Sequence, residues 1–206
     1  MILLAVDSTA AIATAALFQD GALIAEREAD AGKKHAETLL PLIDDLLEEN
    51  GVTIHDIDLF AVDIGPGSFT GVRIGVSLVN ALAFASGKPV VPVDSLATLA
   101  RSVAETEHPI CAIIDARNGN AYAALYQAGN VLIQPCAVET ESFLASLPPD
   151  TVFVGDVNTK NKTYPRARFV GLAALARPMS AKDEAEPLYL RASQAERMKT
   201  KSTKEA

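Results

Sequence analysis

The chain has 206 residues, of which 49% are apolar and 21% charged, with a net charge of -8 at pH 7. That balance is typical of a globular protein with a packed core, large enough for one domain or two lobes of about 100 residues, and it argues against a disordered or fibrous class. No Trp, 5% aromatic residues and a negative charge argue against an exposed ring platform for single-stranded nucleic acid.

The charge is uneven. Residues 1–105 hold 6 basic against 15 acidic side chains and residues 106–206 hold 12 against 11, so a polyanion is expected to prefer the second half. The opening MILLAVDS is apolar but short, lacks a basic leader and reads as a first strand rather than a signal peptide. No apolar run reaches the roughly 20 residues of a membrane helix, which predicts a cytoplasmic chain with no membrane contact. Cys111 and Cys136 read as buried free thiols.

In chain order, a strand ending at Asp7 is followed by a small-residue turn, a second strand, a tight hairpin at Gln19-Asp20-Gly21 and a third strand. A helix is predicted over 35–49, a strand over Leu59–Ile64, a helix over Ser68–Ala85, a short strand over Val90–Val93 and a helix over Ser95–Ala104. Pro41 should delay the first of these helices or kink it near Leu40. The opening then recurs: with one constant offset of 108, Asp7 matches Asp115, Ala16 matches Ala124, Leu17 matches Leu125, Phe18 matches Tyr126, Gln19 matches Gln127 and Gly21 matches Gly129. The second copy continues with a shorter set, a helix over Thr140–Leu147, a strand over Val152–Val154 and a helix over Ala167–Ala176.

A duplicated three-strand meander followed by helices and a further strand resembles the actin/Hsp70-like (ASKHA) plan. The resemblance implies an α/β fold of two lobes with mixed sheets flanked by helices, the second shortened. The expected division is residues 1–105, residues 106–190, and a basic tail over 191–206 that should be disordered. In that superfamily the hairpins after each Asp face nucleotide phosphates, so Asp7, Ser8 and Asp115 mark vestigial nucleotide-side turns. Asp7 is equally readable as a strand-end turn former.

Residues 65–75, GPGSFTGVRIG, lie between a strand and a helix. Gly65 and Gly67 permit the positive φ of a sharp reversal, and Ser68 is a natural N-cap. The segment matches neither a Walker loop nor a dinucleotide fingerprint, and Pro66 breaks a nucleophile elbow. A structural turn, a partner surface and an anion site at the helix start all remain open readings.

This motif, with ILLAVDSTAA, KHAETLLPLIDDLL, IDARNGNAYAALY and EPLYLR, closely resembles the TsaB (YeaZ) family over Met1 to about Arg191. The resemblance implies the non-catalytic, complex-forming subunit of the machinery that makes threonylcarbamoyladenosine (t6A) at the adenosine 3' of the tRNA anticodon. It also implies a TsaD-like catalytic partner, a TsaE-like ATPase, a homodimer when the partner is absent, and at most weak or indirect tRNA contact. The signature loop is then Gly65, Pro66, Gly67, Ser68, Phe69, Thr70 and Arg73.

The residues suggest no catalytic centre and no cofactor. His35, His55 and His108 lack metal-ligand spacing, and His35 reads as a solvated first-turn residue. Asp44, Asp45, Glu48 and Glu49 read as the wet face of a helix whose other side carries Ala36, Leu39, Leu40, Ile43, Leu46 and Leu47. The helix from Ser68 is apolar on nearly every side, so one sheet cannot cover it; the preceding helix and a partner are the two candidates for the second cover. The resemblance makes these two helices the partner contact, through Leu39, Leu42, Ile43, Leu46, Gly71, Val72, Gly75, Val76 and Val79. The rival readings are a small ATP-dependent kinase or ATPase of the same fold, using Asp7 and the 65–71 loop, and a homodimeric scaffold.

Overall fold

A computed structural model describes residues 1–32 and 34–191. It contains β1 (Ile2–Asp7), β2 (Ile12–Gln19), β3 (Ala22–Asp30), α1 (His35–Glu49), β4 (Leu59–Asp63), α2 (Phe69–Ser86), β5 (Val90–Val93) and α3 (Ser95–Arg101). The second half follows with β6 (Ile110–Asp115), β7 (Asn120–Gln127), β8 (Asn130–Glu139), α4 (Thr140–Ser146), β9 (Val152–Gly155) and α5 (Ala167–Leu175). Apart from Arg191, the predicted basic tail lies outside the described residues.

Two mixed sheets result, ordered β3-β2-β1-β4-β5 and β8-β7-β6-β9. This is the predicted α/β, actin/Hsp70-like plan with a shorter second half. β1 pairs antiparallel with β2 and parallel with β4, and β6 does the same with β7 and β9. Both hairpins turn on two residues with positive φ, Asp20-Gly21 and Ala128-Gly129, the geometry that matches strand twist in a two-residue loop.

Period-two alternation divides the first sheet into two apolar faces. Leu4, Val6, Phe60 and Val62 pack beneath α1 and α2, while Leu3, Ala5, Leu59 and Ala61 pack beneath α5. The sequence counts the last helix with the second copy, yet α5 lies on the first sheet. Gly171 lets it come close, since a Cβ there would meet the Phe18 ring at 2.1 Å. Glu26, its side chain only 3% exposed, accepts from the Arg168 backbone at 3.0 Å and from Arg166 at 3.1 Å, fixing where α5 begins.

Beyond α5 the chain stays on the first half. Lys182 bridges to Val90, Ala185 exchanges two hydrogen bonds with the Asn80 amide, and the Leu188 amide donates to Ile64 O at 2.8 Å. Pro41 does not delay α1, which runs from His35 with Pro41 exposed on its outer side.

Candidate functional site

The turn after β1 and the signature loop meet at the N-terminus of α2. Ser68 donates its amide to Thr9 O at 2.8 Å, and the Ser8 hydroxyl donates to Gly71 O at 2.9 Å. The Ser68 side chain caps the helix by accepting from Gly71 N.

Three motif glycines exist for this approach. A Cβ would meet Thr9 O at 2.6 Å from Gly67, Ser8 O at 2.0 Å from Gly71, and Ser8 Oγ at 2.2 Å from Gly75. Only Gly65 needs its left-handed backbone, at φ +95°; Gly67 was expected to share that role but is required for space instead. Because Thr9 O and the Ser68 side chain already take two amides at this helix start, the loop is better suited to clasping the β1 turn than to holding an anion.

Behind the turn, β1 and β4 end in two carboxylates. Asp7 Oδ1 accepts from Thr9 N at 3.0 Å and Thr9 Oγ1 at 2.7 Å, and Asp63 Oδ1 accepts from Gly65 N at 2.9 Å and Ser95 Oγ at 2.6 Å. Both side chains are fully buried, and among the described residues neither Oδ2 has a partner. Burial pushes the Asp7 carboxyl up to about 7 and holds Asp63 well above the usual carboxylate range, where the nearby Asp7 charge raises it further.

Asp115, the repeat partner of Asp7, forms the same local turn by accepting from Arg117 N, but it is exposed. It faces the first half across a cleft of about 240 Å³, lined among others by Thr9, Pro66, Ser68, Arg117 and Tyr164. That volume lies below the roughly 300–1,000 Å³ of pockets for drug-sized ligands. Among the described residues no three His, Cys, Asp or Glu side chains are grouped to hold a metal. His35 is 3% exposed, with Nε2 2.7 Å from Ala10 O, so the expected solvated residue is instead a buried tether to the β1–β2 turn.

The residues singled out for partner contact face inward. Leu39, Leu42, Ile43, Leu46, Val72, Val76 and Val79 belong to the core under the first sheet, and Gly71 and Gly75 lie buried against Ser8. Their helical spacing marks an apolar face without saying which side the sheet takes. What α2 presents outward is a second apolar row, with Ile74, Leu78 and Leu82 only partly buried, Ala81 exposed and Phe84 88% exposed. Beside it α1 shows Leu40, 41% exposed, among Glu37, Asp44, Asp45, Glu48 and Glu49. Among the described helices α2 alone has the length and apolar composition of a membrane span, and its inner side is core.

At the head of α2 the late EPLYLR segment meets the signature. Arg73 lies over the Phe69 ring at 3.9 Å and donates Nε to Tyr189 Oη at 2.8 Å, leaving both rings two-fifths exposed or more. Tyr189, Asp63 and Asn80 all bear on this region and escaped the sequence reading. The occurrence of EPLYLR beside GPGSFTGVRIG in one resemblance was the only available signal.

The family model described as tRNA N6-adenosine threonylcarbamoyltransferase (TsaD) matches residues 28–197. Among curated proteins, the chain is 36% identical to the Escherichia coli tRNA threonylcarbamoyladenosine biosynthesis protein TsaB, over 62% of this chain and 55% of that one. It is 35% identical to the Bacillus subtilis protein of the same description, over 70% and 63%. The chain thus spans between about half and two thirds of these relatives' lengths. Two solved Pseudomonas aeruginosa structures, one described as similar to peptidase YeaZ and one as YeaZ, superpose with TM-scores of 0.81 and 0.76 at 30% and 29% identity; each covers 92% of this chain and 99% of that chain.

Proposed function

We propose that this chain, which belongs to the TsaB (YeaZ) family, is a cytosolic, complex-forming subunit for t6A synthesis on tRNA, and that it docks a TsaD-like transferase through the outward faces of α1 and α2 without itself carrying a chemical step. The observation that supports the docking reading most directly is the outward side of α2, where Ala81 and Phe84 are exposed and Ile74 and Leu78 are only partly covered. A Phe with 88% of its surface in water beside the exposed Ala81 and the half-covered Leu78 is the pattern of an interface rather than of scattered surface residues. The acidic row on α1 would border such a contact and set its register. A second copy of the chain fits the same face when no partner is present. A TsaE-like ATPase is a further partner by family, and tRNA contact is weak or made through the partner.

The test compares Ala81→Glu and Phe84→Glu with Val72→Glu, in the chain alone and mixed with the TsaD-like partner. The outward variants should unfold within about 1 kcal/mol of the parent, because an exposed charge stays hydrated, and should lose association by light scattering. Val72→Glu should unfold the chain itself, since its site is 2% exposed. Full association of both outward variants would place the contact elsewhere. ATP turnover by the isolated chain would favour the small-ATPase reading.

A further inference from the structure

Asp7 and Asp63 are the next residues after the parallel pair Val6 and Val62. By period-two alternation both project from the face that carries Leu3, Ala5, Leu59 and Ala61 under α5. Each uses Oδ1 to hold the turn that follows it, and each has a buried Oδ2 without a partner. Two unpaired carboxylate oxygens in a dry interior are costly, and two full charges on neighbouring strand ends repel in a medium that screens them poorly. A single proton relieves both costs, because a protonated Oδ2 is a donor and an ionised Oδ2 an acceptor, and the two side chains leave neighbouring strand ends on one face.

We propose that Asp7 and Asp63 share one proton between their Oδ2 atoms, forming a carboxylic acid–carboxylate hydrogen bond that ties β1 to β4, and that losing this proton drives the Thr9 and Gly65 turns apart. The balance is simple: the proton leaves to solvent, and two like charges remain. Since the Ser8–Thr9 turn closes the head of α2 through Ser68 and Gly71, the charge change loosens the signature loop.

No cation offsets the pair among the described residues. From β3 it faces Glu26, which Arg166 and Arg168 at the start of α5 already engage. From the head of α3 it faces Asp94, with Arg177 beyond. α1 offers His35, bonded to Ala10 O, and α2 only Arg73, which is turned to Tyr189. β2 contributes Thr14, whose hydroxyl oxygen accepts from Ala167 N.

Both folded-state carboxyls are raised, so the folded chain holds a proton that the unfolded chain has released. This contribution to stability is fully present below the ordinary carboxylate range and is lost progressively as pH rises through the raised range of the pair, in which Asp7 lies at about 7. The test is urea unfolding of the full chain between about pH 5 and 8 for the parent, Asp63→Asn and His35→Gln. The parent's unfolding constant should rise with pH, by at most about tenfold per unit for one proton. Asp63→Asn sets an amide donor beside Asp7 that favours its ionised form, so folding takes up less proton and the dependence should be shallower than the parent's, while His35→Gln should keep the parental slope. A parental slope in Asp63→Asn, or a flat His35→Gln, overturns the proposal. Should Asp63→Asn not fold, infrared spectra of the parent decide: a protonated carboxylic acid band at neutral pH supports the shared proton, and its absence overturns it.

Discussion

The head of α2 depends on atoms that two glycines do not have. At Gly71 an added Cβ would fall 2.0 Å from Ser8 O, a backbone atom fixed in the β1 turn, whereas at Gly75 it would meet Ser8 Oγ, the end of a short side chain that can rotate. Gly71→Ala should therefore cost about 3 kcal/mol and Gly75→Ala about 1 kcal/mol, the second through loss of the Ser8 bond to Gly71 O. Chemical unfolding of both variants checks the order; equal costs would mean that the turn yields as a unit. The glycines were visible in the sequence, but their reason was not, because it lies 63 residues away in Ser8. His35 failed for the same cause: a first-turn histidine reads as solvated until the Ala10 carbonyl is placed beside it. The Asp7 turn was legible, being local, whereas Asp63 acquires its meaning only when β4 pairs with β1.

Elements were more legible than their faces. Apolar periodicity located α1, α2 and the short α4 almost to the residue, since it records that one side is buried. It does not record what covers that side, so for α2, apolar all round, the inner row was taken for the outer one. α5 offered less signal still, because its nine residues carry no rule for which of two sheets they join. Glu26 supplies that choice. Glu26→Ala should loosen α5 and destabilise the chain by about 2 kcal/mol, less than a fully buried pair would lose, because Arg166 and Arg168 are 39% and 42% exposed and can turn to water. The checks are urea unfolding and faster amide exchange at Ala167, whose N–H donates to Thr14 Oγ1. Unchanged exchange there would show that apolar packing on Phe18 alone seats the helix.

At the scale of the whole molecule, the repeat announced two sheets and the offset between them, but not that the chain would return. The chain crosses to the first half with α5, and the segment after it closes over α2, where the Asn80 amide both donates to and accepts from Ala185. Asn80→Ala removes both bonds and should cost about 2 kcal/mol, measured as a lower urea midpoint with an unchanged slope. A change of slope would instead mean that the two halves unfold separately. The return path also bears on how the protein is made. On a ribosome the first five strands emerge long before α5 and Leu188, yet α5 covers one face of their sheet and Leu188 braces the loop at Ile64. The nascent first sheet therefore waits, half covered, through most of the remaining synthesis, and the signature loop gains its Leu188 brace only as the last residues of the described chain leave the exit tunnel.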